Sequence, residues 1–431
     1  MDSRTIADAS GGNARIAVAL ADTVERTGTV AGLSGGELFD RLFWQRSAPD
    51  EGLRRAAQVC ALVYSFDGEG AEPGSELARL AELAELSVPA VYRHVGELKR
   101  RDLVQKRGVW RAVLPHALAN HLAGRALEDI PLSTIERLLV TDGTERLARS
   151  FSRRLSFLHR HPKAVELAKR WLAPDGLLGK IADLDEFGVK RAMFTNIAPV
   201  SMEATLAALE RVERDRTSDD AAKTWRRHRG LLCSIAYAPE FFDRCARLLV
   251  QATVSIREGD RFDDPKGVFL PLFSLGLSGT HASLEQRLRF IESLLKDPNK
   301  SRQEIGISAL DRALQTNFRS AQKYVFGARS RDYGYQPRGD LEVAHWYATT
   351  LGFIERLVLK EGVLVEALRD LVVDRFRNLC WIPGLMEELD QFMRQLATSG
   401  FWCAGWLAVR DTLKFDKGCQ KSPVNGVEVV I

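Results

Sequence analysis

Apolar side chains recur at intervals of three and four along almost the whole chain, while alternation of strand type is nearly absent, and this spacing commits most of the sequence to helix. Between Asn13 and Arg26 the positions Ile16, Ala17, Leu20 and Val24 share one face, and in GELFDRLFW (36–44) Leu38, Leu42 and Phe43 do the same. Past residue 115 the pattern is punctuated at Pro131, Pro162, Pro174, Pro199, Pro239, Pro265, Pro298, Pro337 and Pro383. Breakers at such intervals, flanked by helices of roughly 12–18 residues, predict stacked helical hairpins. PEFFDRCARLLVQA (239–252) and LEQRLRFIESLLKD (284–297) repeat an aromatic-plus-leucine stripe beside an arginine-bearing face, without a strict period. At 431 residues one compact core is too small a home for the chain, so several domains or an elongated array are expected.

One segment, 53–114, has a different texture. Leu53–Phe66 reads as an apolar helix, and Ser75–Leu86 as a second that opens on an N-cap serine. A third runs from Ala90 to about Arg101, with Pro89 in its first turn, where the missing N–H costs nothing. Leu103 to Val113 then reads as two short strands about the Arg107-Gly108 turn. Three helices followed by a β-ribbon make a winged helix-turn-helix. The predicted fold is therefore mainly all-α: a small helical domain over 1–46, a winged helix with a small β-wing over 50–124, an α-solenoid over 125–415 and a tail over 416–431.

The net charge is only +4, so a whole-chain attraction to nucleic acid or acidic membrane is excluded and any basic surface must be local. Six scattered cysteines (Cys60, Cys233, Cys245, Cys380, Cys403, Cys419), none as CxxC, read as reduced thiols used as small hydrophobes. The N-terminus lacks the basic-then-apolar order of a signal peptide, and no run reaches about 18 apolar residues. A cytoplasmic protein without membrane contact is expected.

Catalytic motifs are missing where chemistry would need them. A phosphate-cradling loop requires GxxxxGK[ST], and Gly176-Leu177-Leu178-Gly179-Lys180-Ile181 has neither the spacing nor the hydroxyl. His94, His116, His121, His159 and His161 lack the spacing of three or four, with a third ligand, that a helical zinc site needs, so no metal is expected. Ser278-Gly279-Thr280-His281 has no strand-turn-helix context and reads as a loop with Thr280 or Ser283 as an N-cap. The acidic run of Asp183, Asp185 and Glu186 reads as a solvated helix edge.

In order, GGNARIAVALADT (11–23), LSGGELFDRLFW (33–44) and a winged helix ending VLPHALANHLA (113–123) resemble the region that follows the nucleotide-binding core of STAND-type P-loop ATPases. In that superfamily, which includes bacterial antiphage sensors, a small helical domain, a winged helix and a helical-repeat sensor follow the core. Gly11-Gly12-Asn13-Ala14-Arg15 resembles the family's turn near bound nucleotide, with Ala14 where many members have proline. FTNIAP (194–199) and Ser278-Gly279-Thr280 resemble recurring elements of the bacterial members' repeats. The resemblance implies that Walker A and B would precede residue 1, that Gly12, Asn13 and Arg15 would meet nucleotide only with an external core, and that ATP and Mg2+ are needed only there.

The function expected is that of a non-catalytic sensor or scaffold, coupled to a P-loop ATPase core in cis or in trans, able to oligomerise on activation, and recognising a protein ligand through its helical repeats. Aromatics and arginines suited to such contacts are Trp171, Trp225, Arg226, Arg227, Tyr333, Tyr335, Trp346 and Trp402. The alternative is a winged-helix DNA-binding regulator holding phosphates with Arg93, Lys99, Arg100, Arg101, Lys106, Arg107 and Arg111. An enzyme with a helical active site has no motif behind it.

Overall fold

The computed structural model describes residues 43–44, 49–184, 188–215, 217–255, 266–317, 326–329, 331–360, 362–397 and 402–416. Apart from Phe43 and Trp44, the expected small helical domain over 1–46, with Gly12, Asn13 and Arg15, lies outside these residues, as does the expected tail over 416–431 apart from Asp416. The described chain is mainly helical with one small sheet. It divides into two compact units, one comprising the described residues up to Ala208 together with Phe326–Arg329, the other from Leu209 onward.

The N-terminal unit opens with α1 (Glu51–Ala61), β1 (Phe66–Asp67), α2 (Glu76–Leu83), α3 (Val88–Arg100), β2 (Val104–Arg107) and β3 (Trp110–Val113). Asp50, Ser75 and Ser87 cap the three helices, accepting from Leu53 N, Ala78 N and Ala90 N, so each starts where a short polar side chain satisfies a first-turn donor. The antiparallel sheet has the order β1-β3-β2, with Val104 opposite Val113 and Phe66 opposite Arg111. Gly108, at φ +58, makes the two-residue hairpin turn between β2 and β3.

Two differences from the sequence reading have one cause. The first helix stops at Ala61 rather than Phe66, because Phe66 crosses to the sheet and becomes its third strand. Buried Phe66, Leu77, Leu80, Val91, Leu98 and Val113 contribute to this core. Buried Glu76 ties it to the following helices: it accepts from Asp67 N (2.7 Å), Thr144 Oγ1 (3.1 Å) and Arg146 Nε (2.6 Å). Glu76→Ala strands three donors at once, and chemical denaturation is expected to show a loss of about 2–3 kcal/mol.

Then come α4 (His116–Asp129), which packs on α1, α5 (Leu132–Glu136), α6 (Glu145–Leu155), α7 (Pro162–Leu172), α8 (Val189–Ile197), which packs on α6, and α9 (Met202–Asp215). The C-terminal unit holds α10 (Ser218–Arg227), α11 (Arg229–Ile235), α12 (Pro239–Val254), α13 (Lys266–Phe269), α14 (Leu284–Leu295), α15 (Lys300–Leu314), α16 (Asp340–Val358), α17 (Val365–Cys380), α18 (Met386–Ala397) and α19 (Cys403–Asp416). Helices close in sequence pack together, α14 on α15, α10 on α12, α16 on α18 and α17 on α19. The two stripes with matching sequence become α12 and α14, and they meet through Phe242 and Phe290, with ring centroids 6.1 Å apart.

Candidate functional site

The third helix presents two faces. Val91, Val95 and Leu98 are buried, whereas Pro89, Tyr92, Arg93, Lys99 and Arg100 form the exposed stripe, with Tyr92 51% exposed. Arg93, Lys99 and, on the hairpin, Arg107 are exposed and form no ion pair with a described carboxylate. The other basic residues are engaged within the module. Arg100 and Arg101 both bond Glu97, and the hydrogen bonds from Arg101 and then Arg100 hold that carboxyl below its usual range. Lys106 reaches Glu69 at 3.1 Å.

Arg111, expected at the surface with the phosphate-binding set, is a correction. Strand alternation sends its side chain inward while Trp110 points out at 42% exposure. The buried Arg111 guanidinium bonds Glu69, the Gly108 carbonyl (2.8 Å) and the Trp110 carbonyl (3.1 Å). Gly68 leaves it room, since a Cβ there would lie 2.5 Å from Arg111 Cγ.

The expected protein-contact residues separate sharply by burial. Trp171, Trp225 and Trp346 are core side chains, not surface anchors, because each indole N–H has an internal acceptor: Glu136 Oε1 at 2.5 Å, the Leu209 carbonyl at 3.0 Å and the Ala313 carbonyl at 2.9 Å. Tyr335 is half-buried, stacked on Trp346 with its hydroxyl donated to Glu342, and Arg226 and Arg227 are also half-buried. Tyr333 is exposed.

Sequence reasoning missed the outward side of α19. There Gly405, Thr412 and Asp416 face inward, Asp416 bonding Arg377, while Trp406 and Phe415 are exposed. Arg410 lies 5.1 Å from the Trp406 ring centroid. The spacing of four in Trp402, Trp406 and Arg410 was the available signal.

A cleft of about 410 Å³ opens between α6 and α8, lined by Arg149, Arg153, Gly188, Arg191, Ala192, Thr195 and Asn196. On α6 the buried side is Leu147, Ala148, Phe151 and Leu155, which leaves Arg149 and Arg153 exposed one turn apart. Arg153 lies 3.8 Å from the Tyr64 ring centroid. Next to it in sequence, Arg154 is fully buried; it donates to Asn120 Oδ1 at 2.7 Å, while its Nε and second terminal nitrogen have no hydrogen-bond partner among the described residues. Burial brings the Arg154 guanidinium down to about 10, so it remains cationic at neutral pH.

His116 stacks between Tyr64 and Phe157, at centroid distances of 5.2 and 6.1 Å. Burial, then the charges of Arg154 and Arg153, lowers its pKa, and burial with Arg329 and Arg160 lowers that of His159. A base held neutral in the fold contributes stability that is full above the unfolded pKa of about 6.5 and is lost as pH falls below it. Unfolding followed from pH 7.5 to pH 5 should therefore show stability falling with acidification, and His116→Phe should reduce the slope; a slope unchanged by that substitution would remove His116 from the account.

Among the described residues no group of His, Cys, Asp and Glu is arranged to hold a metal, and no helix is long and apolar enough to cross a membrane. Cys60, Cys233, Cys245 and Cys380 are buried and Cys403 is exposed. Comparison with family models, curated proteins and solved structures returns no significant match at any of the three levels.

Proposed function

We propose that this chain is the non-catalytic recognition and coupling region of a STAND-like signalling or defence ATPase, in which residues 50–124 form a winged helix-turn-helix and the helices beyond it a solenoid-like array that binds a protein ligand. The observation that carries this reading is connectivity: helix, strand, helix, helix, strand, strand, with sheet order β1-β3-β2, followed by helices that pack on near neighbours in sequence. A ligand acts on such a switch only through unequal affinity for its two states, which suits a scaffold with no chemistry of its own. Contact is placed on the exposed aromatic and arginine side chains, Tyr333 and the Trp406–Arg410 pair, since these residue types dominate binding energy at interfaces.

The specific observation favouring DNA instead is the exposed Arg93, Lys99 and Arg107. Against it stand the internal pairing of Arg100, Arg101, Lys106 and Arg111 and the exposed Glu82 and Glu85 just before α3. Immobilised full chain is expected to retain a protein from nuclease-treated native lysate, with Trp406→Ala/Arg410→Ala reducing retention at least tenfold. Retention of nucleic acid alone, with salt-sensitive duplex binding weakened by Lys99→Ala/Arg107→Ala, would overturn the protein-ligand reading.

A further inference from the structure

We infer that the cleft between α6 and α8 is a binding site for a small phosphate-bearing molecule, of the size and charge of a nucleoside diphosphate. Three arginines converge on it from two packed helices, Arg149 and Arg153 from one, Arg191 from the other, and Thr195 and Asn196 complete its described lining. Guanidinium groups pair with phosphate oxygens through two parallel N–H donors, and three of them match an anion with more than one phosphate. The volume of about 410 Å³ lies in the range that holds one small ligand.

The walls are built to stay in place. Asn196 Nδ2 donates to Ser152 Oγ (2.9 Å) and to the Arg149 carbonyl (3.4 Å), tying α8 to α6 beside the arginines. Thr195 Oγ1 rests on the Arg191 carbonyl at 3.1 Å, where a hydroxyl can turn toward an incoming oxyanion. The Tyr64 ring fixes the Arg153 guanidinium. For Arg153 and Asn196, orientation held in advance spares a ligand the cost of ordering the side chain.

The field points the same way. Of the four arginines on α6, Arg146 is spent on Glu76, and Arg154 carries a buried charge with no described carboxylate against it. That charge, in a medium that screens poorly, adds to the potential of its neighbour Arg153. Gly188 opens α8 at the cleft without a side-chain cap, so first-turn N–H groups and the positive end of the helix lie beside the arginines.

The site is independent of the recognition role proposed above, and calorimetry on the full chain tests it directly. Titration with ADP and with pyrophosphate is expected to give saturable binding, weakened at least tenfold by Arg149→Ala and further by Arg149→Ala/Arg191→Ala. Lys223→Ala, at an exposed lysine outside the cleft lining, should bind as the wild type does. Arg191→Lys, which keeps charge but loses the two-pronged donor, should fall between wild type and the double variant. Circular dichroism and the unfolding midpoint identify any variant that has lost its fold, in which case the exposed Arg149→Ala alone carries the comparison. No saturable heat with either probe, or equal affinity in wild type and folded variants, would overturn the assignment. So would binding confined to a single-stranded oligonucleotide and lost in the same variants, which would give the cleft to a nucleic-acid backbone.

Discussion

Arg287→Met is expected to lower the unfolding free energy of the C-terminal unit by about 3–5 kcal/mol, the range for breaking a buried charged group's bonds. Arg287 is 1% exposed and acts as a hub for a loop: Nε donates to the Ala282 carbonyl (2.9 Å), one terminal nitrogen to the Ser274 carbonyl (2.7 Å), the other to Ser278 Oγ and the Thr280 carbonyl. Ser278, Thr280 and Ala282 are buried, and the loop that carries them holds Leu277 at φ +52 and Gly279 at φ +74. Methionine fills much of the volume but takes the donor from the Ala282 and Ser274 carbonyls, whereas the Thr280 carbonyl keeps Tyr335 N at 2.8 Å, and each unmade bond costs about 1–3 kcal/mol. Burial brings the guanidinium down to about 9, which leaves it protonated at neutral pH. Urea unfolding read by tryptophan fluorescence measures the effect, since Trp346 lies 5.1 Å from the Arg287 guanidinium. A loss below about 1 kcal/mol would mean that the loop does not depend on these bonds.

In the N-terminal unit the largest single effect is expected from Phe151→Ala, about 3–5 kcal/mol, the usual cost of emptying a phenylalanine site in a core. Phe151 is fully buried near the middle of α6 and meets Trp171 edge-on at 6.0 Å. Its helix also carries Arg149 and Arg153, so the cavity loosens one wall of the cleft from behind. Phe151→Leu keeps most of the volume and should cost less than about 1.5 kcal/mol. Differential scanning calorimetry of the two variants distinguishes lost packing from lost aromatic character: equal losses would assign the effect to the ring rather than to the space it fills.

Helices were legible wherever apolar spacing and a short polar cap agreed. Ser75, Ser87 and Ser283 each cap the helix that follows, and the prolines within the described residues fall at helix starts or in the breaks between helices. The hairpin was legible through Gly108, but β1 was not, because two residues cannot display a period and Phe66 continues the apolar run of α1. The tryptophans were misplaced for a different reason. An indole suits an interface and a core equally, and what separates the two is an internal acceptor for its N–H, here supplied by residues 16 to 35 positions away. The burial of Arg111, Arg154 and Arg287 was not legible because a charged residue in a helix or strand reads as solvated until a partner far along the chain, or a ring of carbonyls, encloses it. The cleft was hidden likewise: Arg149 and Arg153 form a surface pair on their own helix, and only packing brings Arg191 to them.

Phe326–Arg329 belongs to the N-terminal unit although it follows most of the helices of the other. Buried Phe326 leads into Gly327, at φ +61, where a Cβ would strike the Ser156 carbonyl at 2.2 Å, and Arg329 Nε donates to the Pro199 carbonyl at 2.6 Å. During synthesis the Ser156 and Pro199 carbonyls therefore meet these donors, Ala328 N and Arg329 Nε, only once translation has run more than a hundred residues past them.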